Sequence, residues 1–239
     1  MNIHRFIAAL FFVCAPLAPA LADEGPGDCL GVDFDSAHPV TIAKIGADKP
    51  RSYFVKSAYD DAACPADGDA CRQNAYLIPG DLVLLGKTFS DQSRGPYTCV
   101  AYEKASDRKV RWTNGWMPSA SVTKVQPASA TQRADWLGKW THSAGDIAIT
   151  PGKNGAVTIH GEGFYQAAQN VHTGVLDAVA KPDNGLLQFA DDGSEPFDKA
   201  KDNAECLVRM QRVAELLVVE DNGGCGGVMV SFTGFYRRK

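Results

Sequence analysis

The sequence predicts an all-β protein made of two small barrels behind a secretion leader. Three observations carry this. Short apolar runs of about four to eight residues recur along the mature chain, and no long segment there has helical period. Asn-Gly and Pro-Gly turn chemistry separates these runs at close intervals. Six cysteines remain once the leader is removed, an even number suited to disulfide staples in an oxidising compartment.

Met1 to Ala22 reads as a signal peptide. Arg5 lies in its n-region, Phe6 to Val13 forms its apolar core, and Ala20-Leu21-Ala22 has the small-x-small form of a cleavage site. Pro16 and Pro19 interrupt the run short of the ~20 residues a span needs, so no membrane insertion is expected after cleavage. Cys14 follows Phe12-Val13, where a lipidation signal wants a small residue. The expected location is the periplasm or the extracellular space, with the mature chain beginning at Asp23.

Proximity along the chain chooses among the fifteen pairings that six cysteines allow. Cys206 and Cys225 flank one predicted hairpin, Cys64 and Cys71 bracket a short polar loop, and Cys29 is left with Cys99. No Cys-x-x-Cys occurs, which weighs against a zinc site. Residues 23–128 hold 12 Lys/Arg against 14 Asp/Glu and residues 129–239 hold 11 against 14, so neither half is a basic surface. Nucleic acid and anionic membrane are therefore poor partners.

The first half, residues 23–126, contains β-type runs at Val40–Ile45, Arg51–Lys56, Ala75–Ile78, Leu82–Leu85, Tyr97–Tyr102 and Lys109–Trp112. Pro79-Gly80-Asp81, Arg94-Gly95-Pro96, Ala105-Ser-Asp107 and Asn114-Gly115 punctuate them, a spacing that predicts a small barrel. The acidic loop Asp60-Asp61 to Asp67-Gly68-Asp69 lacks the ligand spacing and closing Glu of a calcium loop.

Tyr76-Leu-Ile-Pro-Gly-Asp-Leu-Val-Leu-Leu85, then Tyr97–Tyr102, then Gly115-Trp116-Met117-Pro118 and a short turn to Val122 resemble the bacterial SH3-like (SH3b) pattern. The likeness covers about residues 31–125 and is interrupted by an insert between Ser57 and Asn74. It implies a non-catalytic module that binds peptidoglycan peptides or a periplasmic protein. Tyr97, Tyr102, Trp112 and Trp116 are the implied groove aromatics, since each pairs flat apolar area with a polar handle. The alternative for Tyr97 and Trp116 is that they fill a small core.

Gln126-Pro-Ala-Ser-Ala-Thr-Gln132 has boundary composition and makes residues 127–134 a linker. Strand runs resume in residues 135–239: Trp136–Trp140, Asp146–Ile149, Val157–His160, Gly174–Val179, Leu186–Phe189, Cys206–Val213, Leu216–Val219 and Val228–Tyr236. Ile147 and Ile149 share a parity, as do Val157 and Ile159, and Val228, Val230, Phe232 and Tyr236, which predicts one buried face per strand. Asn154-Gly155, Asn184-Gly185 and Asn222-Gly223 are hairpin signals. About eight antiparallel strands of this length predict a small closed up-and-down barrel, its interior filled by side chains. Gly138-Lys-Trp140 with Arg237-Arg238 resembles the calycin superfamily. That likeness implies Trp140 stacked under Arg237, or under Arg238, to close the barrel.

Catalytic signals are sparse. His142, His160 and His172 are spaced 18 and 12 residues apart, which neither groups nor separates them as metal ligands. No Gly-x-Ser-x-Gly elbow occurs, and Gly223–Gly227 precedes a strand and lacks the Lys and helix of a phosphate loop. Glu162 and the Asp191-Asp192/Glu195 group are the available carboxylates for glycoside cleavage. The expected function is non-enzymatic binding without a cofactor, through the SH3-like half. An inhibitor of a lysozyme, protease or toxin hydrolase is the second expectation, and a metal enzyme on the barrel the third.

Overall fold

The computed structural model of the chain describes residues 27–91, 94–106, 109–128, 130 and 132–239. The predicted leader, residues 1–22, lies outside the described residues. The protein is all-β, with two antiparallel sheets. The first contains β1 (Thr41–Ile45), β2 (Ser52–Val55), β3 (Arg72–Leu77), β4 (Leu82–Asp91), β5 (Gly95–Ser106), β6 (Lys109–Pro118) and β7 (Val122–Lys124). Their order is β3-β2-β6-β5-β4-β1-β7, a half-barrel built on the β4–β5–β6 meander. A register shift between Leu85 and Thr88 helps this sheet curve.

The second sheet contains β8 (Gly138–His142), β9 (Gly145–Pro151), β10 (Val157–Gln166), β11 (Val171–Ala180), β12 (Leu186–Ala190), β13 (Leu207–Val213), β14 (Leu216–Asp221) and β15 (Gly234–Arg238). It runs β11-β10-β9-β8-β15-β14-β13-β12, an up-and-down order in which the first and last strands pair. The barrel is nearly closed: β11 and β12 have no ladder between them, but the Val179 amide donates to Asp192 O at 3.1 Å across the gap. Alternation sends Ile147, Ile149, Val157, Ile159, Leu187, Met210 and Leu217 inward, where Trp136, Trp140, Phe232 and Tyr236 complete a filled core.

The predicted final strand, Val228–Tyr236, is shorter and later than its alternation implied. Gly227 and Met229 take positive φ (85° and 64°), so residues 224–233 cross the barrel without joining the sheet. Val228 is left exposed, whereas Phe232 enters the barrel interior. A Cβ on Gly161 or Gly163 would stand 3.1 Å from the Phe232 ring, so this glycine pair on β10 makes its room. Asn222-Gly223 consequently forms no tight hairpin but begins the long connection from β14 to its neighbour β15. Instead, the Asn222 side chain accepts the Leu207 and Gly224 amides and holds the crossing segment.

All three expected disulfides form: Cys29–Cys99, Cys64–Cys71 and Cys206–Cys225. Such a set belongs to an oxidising environment. Among the described residues, no helix is long and apolar enough to cross a membrane.

The two sheets are fused. Val40, Ile42, Leu84 and Ala101 from the first pack with Val213 and Val218 from the second. Arg209 on β13 is buried, and its guanidinium donates to the Asp35, Ser36 and His38 carbonyls, to Gln188 and to Glu220. It thus holds the segment leading into β1 against the barrel. The predicted linker is also strapped down: Ala128 donates to Arg212 O, and Ala130 joins the barrel core, where its carbonyl accepts the Trp136 indole N–H.

Candidate functional site

The four aromatics expected to line a groove lie in three places. Trp116 and Tyr97 are each 1 % exposed and pack with both cystines of the first half. The Trp116 indole donates to Gly27 O, and the Tyr97 phenol donates to Asp67 at 2.8 Å. Burial, then the Asp67 carboxylate, pushes that phenol well above its ordinary range. Trp112 flanks the apolar cluster between the sheets. Tyr102 is half-buried and lines a cleft between the two halves. The implied single groove is therefore corrected: Tyr97 and Trp116 are core, because the Cys64–Cys71 cystine of the insert and the Cys29–Cys99 cystine pack against them.

A different aromatic surface is left open. Tyr53 on β2 and Tyr76 on β3 are cross-strand partners, with ring centroids 5.6 Å apart. The Arg51 guanidinium lies over the Tyr76 ring at 4.4 Å and the Arg72 guanidinium over the Tyr53 ring at 5.1 Å. Such an exposed cation–π contact contributes about 0.5–1 kcal/mol and fixes planar groups for a partner. Beside this pair opens a cleft of about 300 Å³. Lys49, Arg51, Tyr53 and Arg72 form one wall, and the cystine-closed loop with Asp67 and Asp69 forms the other.

The loop is held from below and from both sides. Buried Tyr97 fixes Asp67, Arg72 pairs with Asp69 at 3.0 Å, and Lys56 donates to Ala70 O at 2.7 Å. Tyr97 is thus a positioning residue for this cleft and not a contact surface. The β2–β3 pairing is invisible in the sequence because the insert separates its strands and conceals the register.

No protein-family model, curated protein or solved structure matches the chain. Function is therefore read from its own geometry.

The three barrel histidines do not converge. His142 is buried, with Nε2 2.6 Å from Glu103 Oε1 on β5. His160 is on the outer face of β10, with Nδ1 2.6 Å from Asp177. His172 lies 2.8 Å from the Val228 carbonyl. Among the described residues, no three His, Cys, Asp or Glu side chains gather in a metal-binding group. Glu162 sits 3.7 Å from His160 on the barrel exterior, whereas Asp191 and Asp192 accept amides of their own loop region.

At the barrel end, Trp140 is covered by Arg238 (4.7 Å to the ring centre) and by Arg212 (4.5 Å). Arg238, and not Arg237, takes the predicted place, because it is the β15 residue directly opposite Trp140 in the ladder. Alternation turns Arg237 the other way, into the cleft between the halves. Arg212 was missed since nothing in Arg212-Val-Ala-Glu215 marks an inward basic residue. Both guanidiniums donate to the Asp135 carbonyl, which ties the end of the linker to this lid.

The cleft beside Tyr53 presents both signs of charge, with the Tyr53 ring in its wall and the Tyr76 ring alongside. It can hold a ligand carrying carboxylate and ammonium groups on a short extended backbone, with the rings supplying flat apolar contact.

Proposed function

We propose that this is a non-enzymatic binding protein of the periplasm or extracellular space that takes peptidoglycan stem peptides in the Tyr53 cleft of its SH3-like half. The observation that carries this reading is the Tyr53–Tyr76 pair, capped by Arg51 and Arg72, facing the Asp67–Asp69 wall. Stem peptides bear amines and carboxylates close together, and the cleft offers the complement of each. The SH3-like reading is supported by the strand order β7-β1-β4-β5-β6 and by the single turn from Pro118 into β7. The predicted leader and the three disulfides support the location. The calycin-like reading of the second half is supported by the β8–β15 pairing with Trp140 under Arg238. In this reading the barrel is a rigid support.

The test is retention of the mature chain on purified peptidoglycan. Tyr76→Ala and Arg51→Gln should each weaken retention about fivefold to thirtyfold, the equivalent of ~1–2 kcal/mol, with thermal stability nearly unchanged. No retention of the wild type, or equal retention of the variants, removes the cell-wall reading. A stoichiometric hydrolase co-purifying from periplasm would instead support an inhibitor.

A further inference from the structure

We propose that the cleft between the two halves is a second, independent binding site for a small organic carboxylate with a planar apolar group. This cleft holds about 530 Å³, within the range of small-ligand sites, which favour domain junctions. Tyr102 on β5 and Phe235 on β15 form its aromatic walls, one from each sheet, and Leu82 and Leu216 extend the apolar lining. Both aromatic rings sit at the margin of buried clusters and remain only half-buried.

Charge selects the ligand class. Glu103 borders the cleft, but both its oxygens are used: Oε1 meets His142 Nε2, and Oε2 accepts the Phe235 amide at 2.8 Å. Asp81 is partly committed to the Ile78 amide. Lys104 and Arg237, in contrast, are exposed at the rim, and among the described residues their side chains hold no ion pair or hydrogen bond. Two free cations over an aromatic, apolar floor complement an anion with a flat body. Arg237 supplies the planar fork that suits a carboxylate, and Lys104 a second point charge. The hydrogen bond from the Phe235 amide to the Glu103 carboxylate fixes the two walls relative to one another, so the site needs no closure before binding.

The probe is 4-hydroxyphenylacetate, with its neutral amide as control, titrated into the ¹⁵N-labelled mature chain. The carboxylate should give saturable shifts at the amides of Tyr102, Lys104, Phe235 and Arg237, and bind at least ~tenfold more tightly than the amide. A Lys104→Gln/Arg237→Gln double variant, altered only at exposed positions, should lose at least ~tenfold in affinity. Arg51→Gln, on the Tyr53 face, should leave this binding unchanged, which separates failure of this site from failure of the stem-peptide site. The proposal is overturned by shifts that map elsewhere, by equal binding of acid and amide, by an unaffected double variant, or by no saturation up to about 10 mM.

Discussion

Glu103→Ala tests the junction most directly. The Glu103 and His142 side chains are 4 % and 2 % exposed, and they meet at 2.6 Å across the boundary between the two sheets. The other Glu103 oxygen accepts the Phe235 amide at 2.8 Å. Truncation removes a charge-assisted hydrogen bond and leaves a buried imidazole nitrogen and a backbone N–H without partners. Losing one partner of a buried pair costs about 3–5 kcal/mol, against roughly 5–15 kcal/mol for a whole domain. At about 2–4 °C per kcal/mol for a chain of this size, Tm should fall by roughly 6–20 °C. Glu103→Gln should cost less, because its amide oxygen can still accept the Phe235 N–H. The assay is urea unfolding followed by tryptophan fluorescence and far-ultraviolet circular dichroism. Wild type should unfold in one transition by both probes, since bonds and apolar packing cross the junction. A loss below about 1 kcal/mol in Glu103→Ala, or two separate wild-type transitions, would refute the coupling.

Three further outcomes follow from single features. Replacing both Cys29 and Cys99 with alanine opens a loop of 70 residues, which the chain-entropy relation values at about 4 kcal/mol; the Cys64–Cys71 loop of 7 residues is worth about 2, and denaturant titration should preserve that order. Asp177→Asn should lower the His160 pKa in an NMR titration, because the hydrogen bond to Asp177 is the main cause holding it above the ordinary imidazole value, with Glu162 adding to it. A raised folded pKa gives stability present below the unfolded value of about 6.5 and lost as pH rises through the folded value, so the variant should flatten stability across that window. Gly163→Ala places a Cβ 3.0 Å from Val230 and 3.1 Å from Phe232, and should cost about 1–3 kcal/mol by overpacking, read as a lowered urea midpoint.

Much of the backbone was legible. The strands of the barrel half follow side-chain alternation, and Asn154-Gly155 and Asn184-Gly185 adopt the positive φ pairs their turns require. Two of the disulfides follow from chain proximity, Cys64–Cys71 across 7 residues and Cys206–Cys225 across 19, whereas Cys29–Cys99, 70 residues apart, follows only as the pair left over. Val228–Tyr236 misled because alternation reports which side chains are buried, not which backbone is paired: Val230 and Phe232 are buried from within the crossing segment without a ladder. The candidate site was hidden for another reason. Tyr53 and Tyr76 become neighbours only through the β2–β3 register, and the cystine insert sets that register at a distance in sequence. Trp116 and Tyr97 had the chemistry of binding residues, but burial is a property of what folds over them.

The junction determines how the halves can act. Arg209 lies between the Phe34 and Phe197 rings, at 5.4 and 5.3 Å, while it binds three carbonyls of the segment before β1. Glu220 also accepts the Val40 amide, and Gln211 donates to the Val40 carbonyl. Each of these polar groups lost water on burial, so each is costly unless its partner from the other half is in place. The first sheet therefore completes the outer surface of β13 and β14, and the barrel completes the core beneath β1 and β5. Two such halves have little reason to hinge. The Tyr53 cleft and the Tyr102–Phe235 cleft are then fixed at one separation on one body, and ligands at the two sites would couple only through contacts that already hold without them.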